Sequence, residues 1–502
     1  EDVIDGLLVN ANASYWRSGL SAALGDIYVQ HFELASHQRN IPQAVEIIER
    51  VRGRAAAASL QARSSFIKQS QAELDLENKI SDTQLALIRS ENKAERPALL
   101  DTLLTLEREL GLERNDLALS QPEFLSKPAS LRMVQASLRE DEELLEYVLD
   151  EPQAFCITIS RQSANISRLS SGRNAIEQLA DSYLARIRAQ QSAPEFAKGL
   201  YSVLISPLPV PQEKTRLIIV SDGKLHLLSF DSLMDSTGQY LVNTKTISYA
   251  TSASVFRFIR LRAPSHLPTK EMLAIGDVPY RDESRVLLAW SSLPHRVVRG
   301  FADLFGARLD NLPATREEVL TVSKETGNKS TLLIGDQATE AGFKAQPLDQ
   351  YKVLHLAVHG ITDSDFPDRA ALVLGRDPQS KDDGLLQARE IADLHLNADL
   401  VTLSACDTAK GKLQGEAGME SLEDAFFTAG ARAVVASLWS ADDATTGSLM
   451  QHFYQHLAEG HDKATSLREA KLDVLRKFSG DAAPFYWAGF ILTGEGATPI
   501  AF

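Results

Sequence analysis

The chain has 502 residues, which is too long for one compact core, so we expect two to four structural units. Apolar residues make up 44% and charged residues 24%, and the formal charge of -15 is spread along the chain. This composition is that of a globular protein and argues against generic binding to nucleic acid or to an anionic membrane. Since no apolar run reaches about 18 residues, no transmembrane helix is predicted.

The chain contains two cysteines, Cys156 and Cys406. Two cysteines form no disulfide framework, which fits a reducing compartment, so we expect a cytoplasmic location. They cannot build a structural zinc site unaided, and the histidines lack the spacing of zinc fingers. We therefore predict no metal and no cofactor. Because the chain begins at Glu1 rather than at a methionine, we also expect a fragment or a processed chain.

Residues 1–125 carry apolar side chains at helical spacing and form a predicted all-helical region. Asn40 can cap a helix in which Pro42 lies in the first turn and Gln43 completes a capping box. The two helices on either side of Asn40 resemble a terminal tetratricopeptide repeat unit. Such a unit cannot bury its apolar face alone, so further repeats are expected upstream. An ordinary helical hairpin is the alternative.

Two short apolar seams with coiled-coil spacing follow, separated by a polar break at Glu91 to Pro97. The seam residues are Leu76, Ile80, Thr83 and Leu87, then Leu99, Leu103, Leu106 and Leu110. They predict two long helices that fold back on each other. Because each seam is short, packing of this hairpin on the neighbouring domain is favoured over a dimerising coiled coil, and the oligomeric state is left open.

Residues 126–265 form a predicted mixed α/β region. The segments "LLEYVLD" and "AFCITISR" are typical of paired strands joined through Glu151 and Pro152, with Cys156 as a small buried thiol. A helical stretch from about Asn174 to Leu204 leads to "RLIIVSDGKLHLLSF". That segment predicts two strands around a turn at Asp222 and Gly223.

From Met272 onward, apolar strands alternate regularly with helices. The predicted helices include one near Leu293 to Phe305 and one that opens at Thr315 with Glu318 as its capping-box partner. Continuous Val, Ile, Leu and Ala runs predict strands that are buried on both faces. The fold class is therefore α/β, with a doubly wound, mostly parallel sheet flanked by helices and preceded by the all-α region.

Two of these predicted strands end in chemically active residues. "LHLAVHG" ends in His359 and Gly360, and "LSACDTAKG" contains Cys406, which lies 47 residues after His359. In open α/β sheets, ligands bind at the carboxyl ends of the strands. The interval is close to the spacing of about 50 residues between the histidine and the cysteine of caspases.

A cysteine and a histidine at one sheet edge have a defined chemistry. A thiolate is a strong nucleophile, and an imidazole can carry the proton from the thiol to a leaving amine. The backbone N–H groups of Gly360 and Cys406 could stabilise an oxyanion. Taken singly, His359 could be a hydrogen-bonded strand-end residue and Cys406 a buried thiol. Their shared position favours a catalytic dyad.

Several further segments carry a family resemblance: "AFFTAGARAVVASLWSADDATTGSLMQHFYQHLAEG", "ATSLREAK", "FYWAGFILTG", "SDGKLHLLSFDSL" and "LPATREEV". Together with the two strand ends, they resemble the CHAT family of caspase-like cysteine peptidases, which often follows tetratricopeptide repeats in bacteria. The resemblance covers roughly Ser130 to Gly494 and implies a degenerate caspase-like half over 126–265 and a catalytic half over 266–502. It implies that His359 is the catalytic histidine and Cys406 the nucleophile.

The resemblance also implies how a substrate binds. The segment Leu438, Trp439 and Ser440 would line the cleft and pair with an extended peptide by strand addition. There are two departures from the family pattern. Ser229 stands where a proline is common, and an alanine interrupts the Gly-Glu-Gly pattern at 415–418.

The expected specificity rests on the residues at the rim. Ser404 occupies the position at which metacaspase-type relatives place an acid to hold a basic P1 residue, which removes one reason to expect cleavage after Arg or Lys. Asp407 and Asp442 could replace that acid, although capping of a turn and of a helix is favoured. Trp439 is expected to pack at the sheet edge rather than to stack on substrate. The loop Thr408 to Met419 is expected to become ordered on activation.

The leading hypothesis is a cysteine endopeptidase that cleaves a protein partner and is regulated by a protein that binds its N-terminal helices. The alternative is a catalytically silent, caspase-like scaffold that acts as a protein-interaction module. A serine or dinucleotide enzyme is disfavoured because no G-x-S-x-G or G-x-G-x-x-G follows a strand. No nucleic acid and no membrane partner is expected.

Overall fold

The computed structural model describes residues 27–52, 70–89, 95–119, 128–264, 266–280, 311–327, 329–361, 369–404, 416–439, 443–478 and 482–502. The helix predicted near Leu293 to Phe305 lies outside these ranges, as does most of the loop predicted from Thr408 to Met419. Within the ranges, no helix combines the length and the apolar character needed to cross a membrane.

The described residues of the N-terminal part are helical, as predicted. Its helices are α1 (27–37), α2 (Ile41–Arg52), α3 (Gln71–Arg89) and α4 (Arg96–Leu119). Asn40 caps α2, since its Oδ1 accepts the backbone N–H of Gln43 at 3.4 Å. The predicted capping box is not formed, because Gln43 Oε1 accepts the side-chain amide of Asn40 at 2.8 Å and not its backbone N–H. The Asn40 backbone N–H donates to Ala35 O instead.

The next segment is mixed α/β. Its elements are α5 (Leu131–Ser137), β1 (Glu142–Val148), β2 (Phe155–Ile159), β3 (Ala164–Arg168), α6 (Arg173–Arg188), α7 (Pro194–Leu204), β4 (Arg216–Val220), β5 (Thr246–Tyr249) and α8 (Ala253–Leu261). β1 and β2 pair antiparallel, as predicted, and Cys156 on β2 is buried. The predicted helical stretch is two helices, α6 and α7, since Gln190 adopts a positive φ of 58° and Pro194 begins α7.

The strand pair predicted around Asp222 and Gly223 is wrong. β4 is followed by a short 3-10 helix at Gly223–Leu227. β4 already has parallel partners on both sides, β1 and β5, so no edge is left for an antiparallel neighbour. Leu225 and Leu228 are instead buried in the core below the sheet.

In the remaining part, strands mostly alternate with helices as the sequence predicts, apart from four successive strands between residues 351 and 387. The elements are β6 (Lys270–Gly276), α9 (Pro313–Glu325), β7 (Ser330–Ile334), α10 (Glu340–Lys344), β8 (Tyr351–Leu356), β9 (His359–Ile361), β10 (Ala371–Val373), β11 (Leu385–Gln387), α11 (Ala388–Asp393), β12 (Leu400–Leu403), α12 (Glu416–Ala429), β13 (Ala433–Ser437), α13 (Asp443–Ala458), α14 (Lys463–Lys477) and β14 (Phe490–Gly494).

The described strands form one sheet of eleven and a separate sheet of three. The large sheet has the order β3-β2-β1-β4-β5-β14-β13-β12-β8-β6-β7, and the small one β11-β10-β9. In the large sheet β1–β2, β2–β3 and β13–β14 are antiparallel, and the other pairs are parallel. The predicted α/β class, with a mostly parallel sheet flanked by helices and a helical N-terminal region, is therefore confirmed.

The large sheet is continuous across the boundary predicted near residue 265. β14, from the C-terminal end of the chain, lies between β5 and β13 and so joins the strands of the two predicted halves. Successive residues of β6 face different cores, with Met272 in one apolar cluster and Leu273 in the other. Both faces are therefore covered, which explains the continuous apolar runs of these strands. The division into halves at 126–265 and 266–502 stays a prediction.

The capping box predicted at Thr315 and Glu318 is wrong. α9 begins at Pro313, and Thr315 Oγ1 donates to Leu312 O at 2.7 Å and accepts the Asp277 N–H at 2.9 Å. Proline is suited to the first turn because it has no N–H to satisfy there. Glu318 lies one turn further on, faces inward and contacts His355.

The hairpin of α3 and α4 packs on the α/β region, as the sequence favours. Ile80 and Leu87 of α3 and Leu103 and Leu110 of α4 are buried in the same apolar cluster as residues of β6, β8 and β12. The seams are therefore covered by this chain itself.

Candidate active site

The ends of β8 and β12 lie side by side. The two strands pair in parallel with Leu356 opposite Leu403, and the Ser404 N–H continues the ladder by donating to Leu356 O at 2.9 Å. The sequence prediction that these two strands adjoin at their carboxyl ends is thereby confirmed. The residues that follow them therefore begin at one edge of the sheet.

His359 does not end β8 itself. β8 stops at Leu356, and His359 is the first residue of β9, in which it pairs with Val373 of β10. The segment "LHLAVHG" is thus two strands in two sheets rather than one. The His359 side chain is buried, with 1% of its surface exposed.

Tyr280 holds His359 in place. The Tyr280 hydroxyl accepts the His359 backbone N–H at 3.1 Å and donates to Val373 O at 3.0 Å, so it clamps β9 to β10. The two rings pack with their centroids 4.7 Å apart. Sequence reasoning missed Tyr280. The available signal was an aromatic residue just after the strand "MLAIGD", at the same sheet edge.

Two further candidate residues lie beside His359 and the strand ends. Gly360 is opposite Leu372 in the β9–β10 ladder and is buried. Ser404 is buried at 2% exposure, and its Oγ has no hydrogen-bond partner among the described residues. The candidates Cys406, Asp407, Ser440 and Asp442 lie outside the described residues.

Trp439 follows β13 and packs into the core. It is 3% exposed, and its indole Nε1–H donates to Phe485 O at 3.0 Å. The neighbouring Leu438 N–H donates to Gly489 O at 2.8 Å, and the Ser437 hydroxyl donates to Trp439 O at 2.6 Å. The Trp439 ring therefore occupies the packing position that the sequence favoured over stacking on a substrate.

A polar network is buried directly beneath the strand ends. His355 of β8 has its Nε2 3.2 Å from Glu318 Oε1 and its Nδ1 3.1 Å from the Tyr454 hydroxyl, which also lies 2.9 Å from Thr402 Oγ1 of β12. Burial raises the pKa of Tyr454 well above its usual range, so the phenol stays neutral. The network links both strands to α9 and α13.

The hairpin of α3 and α4 reaches the small sheet that carries His359. The guanidinium of Arg369, just before β10, forms a bidentate pair with Glu107 of α4 at 3.0 and 2.6 Å. Gln84 of α3 donates to the Gln387 side chain of β11 at 3.3 Å and accepts from Arg389 at 3.1 Å. The hairpin therefore contacts the chain at the start of β10 and at the end of β11, the two strands that pair with each other beside β9.

Cys156, the other cysteine of the chain, is buried on a different strand. It lies on β2, and burial, followed by repulsion from Glu146, raises the pKa of its thiol well above the ordinary value. A fully buried, protonated thiol is a poor nucleophile. The predicted role of Cys156 as a buried core residue is confirmed by its burial.

The fold and this sheet edge define an α/β protein with a buried histidine beside two converging parallel strands. Residues 194–495 match the CHAT domain family. This match spans more than half of the chain, so the chain belongs to the CHAT domain family, as its motifs predict.

Other similarities are more distant. Tetratricopeptide repeat protein 28 of Mus musculus is 25% identical over 388 residues, which cover 67% of this chain and 15% of that protein, so this chain spans about one seventh of its length. The Arg specific cysteine proteinase gingipain R is 10% identical with a TM-score of 0.35, covering 61% of this chain and 67% of that one. In the Saccharomyces cerevisiae separase-securin complex, the matched chain is 10% identical with a TM-score of 0.40, covering 96% of this chain and 40% of that one.

Proposed function

We propose that the protein is a cysteine endopeptidase in which Cys406 is the nucleophile and His359 the general base and acid. The observation that carries the proposal is the register of β8 and β12. His359 comes three residues after the last residue of β8, and Cys406 comes three residues after the last residue of β12. Ser404, two residues before Cys406 in the sequence, is anchored on β8 through its N–H, which supports placing the proposed nucleophile at the sheet edge that carries His359.

The chemistry follows from these residue types. His359 takes the proton of the Cys406 thiol, and the resulting thiolate attacks the scissile carbonyl carbon, while the N–H groups of Gly360 and Cys406 are the proposed donors to the oxyanion. The protonated imidazole of His359 then gives its proton to the leaving amine. The same ring takes a proton from the water that hydrolyses the acyl-enzyme and returns it to the departing thiolate.

The substrate is proposed to be an extended segment of a protein that pairs with the chain after β13. The Leu438 N–H and the Trp439 carbonyl already form hydrogen bonds within the chain, so the backbone from Ser440 onward is proposed to pair with the substrate, and Ser440 and Asp442 are the candidates for side-chain contacts. Ser404 is uncharged and buried. It therefore provides no acid for a basic P1 side chain, and Asp407 and Asp442 remain as the candidate acids.

We also propose that the N-terminal helices control the site. The Glu107–Arg369 and Gln84–Gln387 contacts connect the hairpin to β10 and β11, and Val373 of β10 is directly opposite His359. A protein that binds the helical region and shifts the hairpin would therefore move the strands that hold the histidine. This supports a protein regulator as the partner of the N-terminal region.

The test uses labelling by a peptide-derived, thiol-reactive probe at pH 7. Wild type is expected to be labelled once, Cys406→Ala not at all, and His359→Ala at least about tenfold more slowly, because the thiolate loses the imidazolium that stabilises it. Cys156→Ala is the matched control and should label like wild type, since that thiol is buried. Labelling at the same rate in wild type and His359→Ala would contradict the dyad and leave the scaffold alternative.

A further inference from the structure

A second cluster of ligand-type side chains lies away from the sheet edge, where α13 turns toward α14. Its members are His456 in the last turn of α13, Glu459 just after the helix, and His461. One side-chain nitrogen or oxygen atom of each lies within 4.8 Å of those of the other two. Gly460, with φ at +89°, reverses the chain between Glu459 and His461 and so brings them onto the helix end.

Both ring nitrogens of His456 face carboxylate oxygens. Its Nε2 lies 2.8 Å from Asp473 Oδ2, and its Nδ1 lies 3.1 Å from Glu459 Oε2. A neutral imidazole has one N–H, so one of these contacts sets a nitrogen lone pair against a carboxylate oxygen unless a proton or a cation lies between them. An outer carboxylate that binds the far nitrogen of a ligand histidine is the usual support of a zinc site.

Glu459 is positioned as a second possible metal ligand. Its Oε1 accepts the Gln455 side-chain amide at 3.2 Å, which leaves Oε2 facing His456. The His461 ring stacks on the His456 ring at 5.6 Å between centroids and 10° between planes. Rotation of the exposed His461 side chain can turn one of its nitrogens toward the other two ligands.

We propose that His456, Glu459 and His461 bind one divalent transition metal of the zinc class, with water as the fourth ligand. Two imidazoles and one carboxylate are a recognised zinc donor set that keeps a position for water. Asp473 of α14 orients His456 from outside, so the bound metal would tie α13, the turn and α14 together. The prediction of no metal rested on the number of cysteines and on the absence of zinc-finger spacing. Those two criteria do not exclude a site built from histidines and a glutamate at a helix end.

The test is isothermal titration of the full chain with ZnCl₂, in the Cys406→Ala background so that the thiolate does not compete. One zinc per chain is expected. Asp473→Asn should weaken binding about 10- to 100-fold, as loss of an outer carboxylate does. His461→Ala and Glu459→Gln should each weaken binding at least as much. His395→Ala, which removes an exposed histidine elsewhere, is the matched control and should bind like the parent.

Replacing zinc by Co²⁺ provides a second readout. A four-coordinate site gives intense visible absorption, which should appear with one equivalent of Co²⁺ and be lost in His461→Ala. Two results would overturn the proposal: equal zinc affinity of His461→Ala and its parent, or binding so weak that it needs millimolar metal, which would mark an adventitious ion only. Circular dichroism of each variant without metal checks that the fold is retained.

Discussion

Replacement of Glu107 by leucine isolates the contact between the helical hairpin and the strands around His359. In the structure, the Arg369 side chain is 5% exposed and that of Glu107 20% exposed, and the two form a bidentate pair. Removing one partner of a buried pair leaves an uncompensated charge and costs about 3–5 kcal/mol. Because Glu107 is partly exposed and water can relieve some of that cost, we expect about 3 kcal/mol for Glu107→Leu.

The double variant Glu107→Leu/Arg369→Met gives the sharper prediction. Replacing both charges by apolar side chains of similar size is often neutral, so its free energy of unfolding should lie within about 1 kcal/mol of wild type. The two single changes should therefore be strongly non-additive, with a coupling energy of at least about 2 kcal/mol. Arg389 also approaches Glu107, at 3.9 Å, but it keeps its hydrogen bond to Gln84.

Urea unfolding of the four chains measures this cycle, and probe labelling of Cys406 measures its effect on the site. Glu109→Leu is the matched control, because Glu109 is an exposed acid on the same helix and its replacement should change stability by no more than about 0.5 kcal/mol. If the single changes at 107 and 369 add, or if Glu107→Leu behaves like the control, the hairpin does not dock through this pair. Slower labelling in Glu107→Leu and recovery in the double variant would link docking to the histidine.

Two further predictions concern single side chains. Tyr280→Phe should slow labelling of Cys406 and lower the urea midpoint, because it removes the hydroxyl that bonds the buried His359 N–H and the Val373 carbonyl. Each buried polar group left unsatisfied costs about 1–3 kcal/mol of stability. An unchanged midpoint and labelling rate would contradict this prediction. Burial, then repulsion from Glu390, raises the pKa of Glu340 to about 8 from the ordinary 4.5, so the stability tied to its protonated form is full below pH 4.5 and is lost as the pH rises toward 8. Glu340→Gln should therefore match wild type at pH 4.5 and be more stable at pH 8, measured by urea unfolding, and equal stability at both pH values would refute it.

The parts of the fold that the sequence predicts are those that local pattern determines. Alternation of apolar runs with helical segments is enough to place β8 and β12 as buried parallel strands, because strands covered on both faces must be apolar throughout. The end of each run then marks the sheet edge at which His359 lies. The Asn40 cap of α2 is likewise local, since the groups that bond are three residues apart.

The predictions that were wrong depend on partners distant in the chain. Asp222 and Gly223 after β4 are typical residues of a β-hairpin turn. A hairpin would need a free edge of β4, but β5 is already paired there. Glu318 has the position of a capping residue, but its partner is His355, on a strand of the sheet that α9 covers. Tyr280, His359 and Val373 come from three separate segments of the chain, so no local spacing in the sequence predicts that they meet.

The buried network beneath the strand ends explains how the register of β8 and β12 is fixed. Apart from Lys352, His355 and Thr402, both strands carry apolar or aromatic side chains on both faces, so hydrophobic pattern alone specifies their register weakly. A shift by one residue would turn Thr402 to the opposite face and take it away from the Tyr454 hydroxyl, which also contacts His355. An unpaired polar group is costly in this interior, and the two hydrogen bonds of the Tyr454 hydroxyl, to His355 and to Thr402, can form together only in the observed register. The side chains that align the two strand ends are thus polar residues of the core, and the proposed pairing of His359 with Cys406 depends on that alignment.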